Sequence, residues 1–212
     1  MADGRHGHTC SHAHHDHDHD EDGGGEAWAL FEQVNTEALI CLNEADPDSL
    51  KHVLRPWYKR CDPSLPTLKS DADEQLLMCI PFVSPVKIKS ICIIGAGGGV
   101  SPSHMKAYIN DEVLDFSSVA SKRPIQEWDL IENNIDGMVD YPTKYTRFQN
   151  VSKLWLFVDT NFGADLTEIM YIGLKGEYTK YKREAVNTVY ESRPLKASED
   201  VKNTSNMPSM GM

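Results

Sequence analysis

The stretch from Leu76 to Ile94 constrains this chain more than any other. Leu76-Leu77-Met78-Cys79-Ile80-Pro81-Phe82 is apolar throughout, and after Ser84-Pro85 comes Val86-Lys87-Ile88-Lys89-Ser90-Ile91-Cys92-Ile93-Ile94. The second run alternates at first, Val86 and Ile88 against Lys87 and Lys89, and then becomes apolar on both faces. Alternation marks a strand with one wet face, and its loss marks a strand covered on both sides. The pattern predicts two strands, one either side of Ser84-Pro85, the second passing into a covered core.

Similar short apolar runs follow along the chain. They are Met105–Ile109, Ile125–Ile131, Lys144–Phe148, Leu154–Val158 and Ile169–Leu174, with Gly, Pro, Asn and Asp between them. β-Branched and aromatic residues are common in the runs, and the punctuation is that of turns. Helical periodicity is weak. Trp28–Leu42, apolar at 28, 31, 34 and 38–42, predicts a short helix or an irregular lead-in. Seven or more short strands with little helix predict an all-β fold, a two-sheet β-sandwich of jelly-roll type. No internal repeat is visible.

The ends differ from this body. Residues 1–26 are rich in His, Asp and Gly, with almost nothing to bury, and carry one Arg against seven Asp and Glu. They account for much of the formal charge of −11. This predicts a disordered tail over 1–26, one domain over 27–190 and a polar tail over 191–212. The charge argues against nucleic acid, which calls for clustered Lys and Arg. No apolar run is long enough to span a bilayer, and the start, Met-Ala-Asp-Gly-Arg-His-Gly-His, has no hydrophobic segment of a secretory signal. The sequons at Asn150 and Asn203 therefore carry no expectation of glycosylation. Five cysteines (10, 41, 61, 79 and 92) form no framework spacing, so they read as reduced thiols, Cys79 and Cys92 inside the core.

Several features suggest chemistry and each has a plainer reading. His6, His8, His12, His14, His15, His17 and His19, with Cys10 among them, are good ligands for zinc, nickel or copper. A fixed site needs ligands held by a scaffold, so a non-specific, interchangeable set on a solvated tail is the expectation. Asp18–Gly23 copies half of a calcium loop but places Ala29 where a bidentate Glu belongs. Gly95-Ala96-Gly97-Gly98-Gly99-Val100 follows a strand, yet Val100 stands at the sixth position and Ser101-Pro102 interrupts the helix a dinucleotide loop requires; it reads as a strand–strand loop. Ser70–Glu74 gathers three carboxylates and reads as a turn capped by Asx hydrogen bonds.

No Gly-x-Ser-x-Gly, Walker loop, His-Glu-x-x-His or Cys-x-x-Cys occurs, and only His52 and His104 lie outside the tail. No catalytic residues and no cofactor are expected. Among the aromatics, Trp128, Trp155, Phe162 and Tyr171 read as core. Trp57, between Arg55 and Lys59 in Arg55-Pro56-Trp57-Tyr58-Lys59-Arg60, is the candidate for partner contact, against packing as the alternative.

One further set of segments points to a family. Cys41-Leu42-Asn43-Glu44, Arg55-Pro56-Trp57, Ser70–Leu77 through Ile80-Pro81-Phe82, Val86-Lys87-Ile88-Lys89, Arg147-Phe148-Gln149-Asn150-Val151, Asn161-Phe162-Gly163-Ala164-Asp165 and Tyr171-Ile172-Gly173-Leu174-Lys175-Gly176-Glu177 occur in order. Over residues 28–185 the chain resembles the PITH domain, named for a proteasome-interacting thioredoxin. The resemblance implies a galactose-binding-like jelly-roll and a cytoplasmic protein, with the nucleus as a further location, associated with the proteasome's regulatory particle. Two departures narrow it: Gly95–Val100 is glycine-rich where an acidic stretch is expected, and the missing Cys-x-x-Cys leaves no basis for redox activity.

The expectation is a monomeric, non-catalytic interaction module that acts as an adaptor on the proteasome. Its partner contact is assigned to Arg55, Trp57 and Lys59, without nucleic acid or membrane. The alternatives are a small-ligand or glycan-binding jelly-roll and a metal buffer acting through the His-rich tail.

Overall fold

The computed structural model describes residues 29–134 and 136–178. The histidines at 6–19, Cys10, Asp18–Gly23 and both tails lie outside them.

Eight antiparallel strands are linked by hydrogen bonds among the described residues: β1 (Ile40–Leu42), β2 (Leu68–Lys69), β3 (Leu76–Gly95), β4 (Pro102–Ile109), β5 (Gln126–Asp129), β6 (Tyr141–Pro142), β7 (Val151–Asn161) and β8 (Glu168–Tyr178). Two short helices, α1 (Ser49–Val53) and α2 (Phe116–Ser121), interrupt them. The two strands expected around Ser84-Pro85 are one. β3 runs continuously for 20 residues, and Ser84-Pro85 marks an irregularity inside it rather than its end. Leu76–Pro81 pairs with β7, the register shifts between Pro81 and Val86, and Val86–Gly95 pairs with β8. A proline is tolerated at such a bulge because its missing N–H removes no ladder bond there.

This strand joins the two halves of a β-sandwich. Its first part sits with β1, β7, β4 and β5, and its second part with β6, β8 and β2. Leu76, Met78 and Ile80 from the first part share one buried cluster with Ile91 and Ile93 from the second, and with Leu156, Ile172 and Leu174 of β7 and β8. The alternate side chains are buried too. Leu77 and Cys79 pack with Tyr108, Trp155 and Phe157 beside α2, while Cys92 and Ile94 pack with Tyr171 and Trp57. Each outer face is thus covered as well, which is why β3 loses its alternation.

The lead-in from 29 is irregular. It forms 3-10 turns at Phe31–Gln33 and Thr36–Ala38 before β1. Lys144–Phe148, expected as a strand, is a turn: Arg147 N donates to Lys144 O at 2.7 Å and only Phe148 points into the core. Gly95–Val100 is a strand–strand loop as expected. Gly97, Gly98 and Gly99 all have positive φ, a run that no side-chain-bearing sequence would adopt without strain. The Ser70–Glu74 turn is capped as expected, with Asp73 Oδ1 accepting from Gln75 N at 3.0 Å and from Asn43 Nδ2 at 2.8 Å. No helix among the described residues is long and apolar enough to cross a membrane.

Candidate functional site

The segment Leu54–Arg60 lies against the outside of β8, and its first charged residue corrects the expectation. Arg55 is 6% exposed, so its guanidinium is not offered to a partner. It turns inward, where Nη2 donates to Met170 O at 2.9 Å and to Arg60 O at 3.4 Å. Nε and Nη1 are buried without a protein partner. Burial pulls its pKa below the usual guanidinium value, with the Asp62 carboxylate opposing. Arg55 is the pin that fastens this segment to the sheet. Pro56, with φ −58° and ψ 148°, then sets up a 3-10 turn over Trp57–Lys59.

That turn places Trp57 half-buried and Tyr58 64% exposed. The indole is held from several sides. The Arg60 guanidinium lies over its ring at 4.2 Å and Lys175 Nζ at 4.1 Å, both within cation–π range. Tyr171 meets it edge-on, with ring centroids 6.2 Å apart. The cations are themselves fixed: Arg60 Nε donates to Asp136 O at 3.0 Å and Lys175 Nζ to Asp140 Oδ2 at 2.7 Å. Beneath, burial pushes the Cys92 thiol up to about 12 and raises the Tyr171 phenol, so both stay neutral. Lys59 is exposed, with its ammonium 5.7 Å from the Tyr58 ring.

Trp57 and Tyr58 form one wall of a groove of about 410 Å³, whose other walls are Ala29, Phe31, Glu32, Pro56 and Tyr178. Phe31 is brought here because the lead-in pairs with β8: Leu30 N donates to Leu174 O at 2.8 Å and Ala29 bridges Lys175. Of the expected partner residues, Trp57 lines this groove, Lys59 flanks it and Arg55 supports it from below. Phe31 and Tyr178 were not singled out from the sequence. They are far apart in the chain, and only the sheet pairing of residues 29 and 30 unites them.

A second groove, about 590 Å³, opens at one rim between Ala72–Glu74 on one side and Thr160, Asn161 and Gly163–Asp165 on the other; Phe162 of the same turn, expected in the core, is exposed instead because it lies in the connection after β7. None of the described residues lining it is aromatic. Its Asn161 is committed to shaping the turn: Oδ1 accepts from Gly163 N and Ala164 N, and Nδ2 donates to Ala164 O and Leu166 O. The connection after β7 is thus built by Asn161 and Gly163, whose φ is 107°. Among the described residues, no group of three His, Cys, Asp or Glu is placed to hold a metal ion. The nearest to a polar centre is Asp159, which accepts from His104 Nδ1 at 2.7 Å and Lys106 Nζ at 2.5 Å.

Comparison with known proteins bears on this surface. The family model of the PITH domain matches residues 20–194. A "PITH domain-containing protein 1" of Dictyostelium discoideum is 44% identical over 170 residues, covering 80% of this chain and 83% of its own. Its Homo sapiens counterpart is 40% identical over 162 residues, covering 76% of this chain and 75% of its own. Among solved structures, the CBM32-1 and CBM32-2 domains of Clostridium perfringens ZmpB in complex with GalNAc superpose with a TM-score of 0.56 at 8% identity, covering 74% of this chain and 38% of that one. That likeness is one of fold, the galactose-binding-like jelly-roll.

Proposed function

The chain belongs to the PITH domain family, and on that premise we propose that it is a non-catalytic interaction module, an adaptor or regulatory factor that docks on the regulatory particle of the proteasome in the cytoplasm and nucleus. The observation that carries this reading is the groove at Trp57. Trp and Tyr are enriched among the residues that dominate the energetics of protein interfaces, and Trp57, Tyr58 and Tyr178 line this groove together. The groove is also preorganised. Trp57 is already fixed by Arg60, Lys175 and Tyr171, so a partner orders little on binding and more of the contact energy appears as affinity.

A glycan-binding role has weaker support. It rests on the fold of a neighbour solved with GalNAc, and the rim groove offers a sugar no aromatic face among its described residues.

Purified full-length chain titrated against purified proteasome regulatory particle tests the proposal. Wild type should bind, and Tyr58→Ala and Trp57→Ala should each weaken binding by about tenfold or more. Thermal melts of both variants confirm that the fold is retained. A wild-type chain that does not bind defeats the adaptor reading. Variants that are folded and bind like wild type defeat the assignment to this groove.

A further inference from the structure

The chain is acidic, yet one pocket collects positive charge that the fold leaves unused. Seven lysines of the described fold each sit within ion-pair distance of a carboxylate. Arg123, Lys144 and Arg147 are all exposed, and among the described residues none of them has an ion-pair partner. Instead they line a single pocket of about 170 Å³ with Ile125, Gln126 and Glu127. One carboxylate against three cations leaves the pocket net positive.

The pocket walls are tied in place. Ile125 N donates to Ala107 O at 2.8 Å, which fastens one wall to β4. Gln126 bridges to the other: its Oε1 accepts from Lys144 N at 2.6 Å and its Nε2 donates to Pro142 O at 2.9 Å. Arg147 Nη1 donates to Ile125 O at 3.3 Å, which leaves the rest of its fork of donors open. Like charges held close repel one another, and an anion placed between them relieves that repulsion.

We propose that the Arg123–Lys144–Arg147 pocket is a recognition site for a short acidic segment of a protein partner, one that presents two or three carboxylates. Guanidinium groups engage carboxylates bidentately, and the pocket is too small for a drug-sized or nucleotide-sized ligand. A long polyanion such as nucleic acid or an anionic membrane would extend beyond three cations onto a surface whose charge repels it. The site does not depend on which partner fills the groove.

The test is fluorescence anisotropy of labelled hexaglutamate with the full-length chain, at low ionic strength and again near about 0.15 M salt. Wild type should bind at low salt and weaken as salt rises. Arg123→Glu with Lys144→Glu and Arg147→Glu should lower affinity by about tenfold or more, and the single Arg147→Ala should lower it by less. Trp57→Ala should leave hexaglutamate binding intact, which separates this site from the groove and from proteasome docking. Absence of binding by wild type at low salt overturns the proposal, as does unchanged binding by the folded triple variant. Tighter binding of a duplex RNA or a phosphatidylserine vesicle than of hexaglutamate, lost in the same variant, also overturns it.

Discussion

Gly176→Ala should damage this fold more than its size suggests. Gly176 lies at an irregularity in the pairing of β8 with β3: the register there runs Ile88 to Gly176, then shifts so that Ser90 faces Lys175. A methyl group on Gly176 would stand far inside contact distance of the Lys87 carbonyl oxygen, 3.0 Å from Lys87 C and 3.1 Å from Ile88 Cα. All three are backbone atoms, so no rotamer change relieves the overlap and one strand must move. Movement would disturb Ile88 N to Phe148 O at 3.1 Å and Thr143 N to Lys89 O at 2.9 Å, which hold the neighbouring segment to β3. Overpacking costs about 1–3 kcal/mol, and the two weakened hydrogen bonds together about 1 kcal/mol, giving a loss of roughly 3 kcal/mol. At about 2–4 °C per kcal/mol for a domain of this size, Tm should fall by about 6–12 °C. Gly173→Ala is the control, because its new methyl would meet the side chain of Tyr171 rather than backbone; its loss should be about half as large. Circular dichroism melts read both. A Gly176→Ala melt within about 2 °C of wild type would refute the claim that backbone crowding requires glycine here.

Two other outcomes can be checked. Burial works against ionisation of Asp159, but hydrogen bonds from Lys106 and His104 and their charges outweigh it, so its pKa is lowered in the fold. A lowered pKa means that this stabilisation is present above about pH 4, the unfolded value, and is lost as pH falls through the folded one. Asp159→Asn should therefore flatten the acid limb of the stability curve below about pH 4, and an unchanged limb would count against the pairing. Burial pushes the Cys79 thiol up to about 11 and Cys92 to about 12, whereas Cys61 is exposed. Iodoacetamide followed by peptide mass spectrometry should label Cys61 well before either. Equal labelling of Cys92 would show that the Trp57 layer opens readily.

Fold class was legible because β3, β7 and β8 are apolar on both faces, and only a layered fold hides such strands. Their boundaries were harder. Ser84-Pro85 has the composition of a turn, and only the change of partner from β7 to β8 shows that the strand continues through it. α2 is short, and the capping box of Asp115 with Ser118 is too brief a local signal to mark a helix of six residues. The site was half legible. Trp57 stood out by its basic neighbours, but Arg55 looked equally exposed in sequence, since burial of an arginine depends on a carbonyl 115 residues away at Met170. Phe31, Tyr178 and the Arg123–Arg147 pocket are products of tertiary pairing, which no local window contains.

β3 also has a bearing on how this chain is made. It is complete at Gly95, but its partners β7 and β8 begin only at Val151 and end at Tyr178. At about 5–20 residues per second, the ribosome leaves this apolar strand without its neighbours for roughly 4–16 s. Among the described residues, the backbone partners made before it are β1, which pairs with Leu77–Cys79, and the lead-in, where Val34 bridges Phe82; neither pairs with Val86–Gly95. During synthesis the same strand that joins both sheets is the chain's most exposed template for mispairing. Folding yield should therefore respond more to chaperone supply and translation speed between residues 96 and 150 than to final stability.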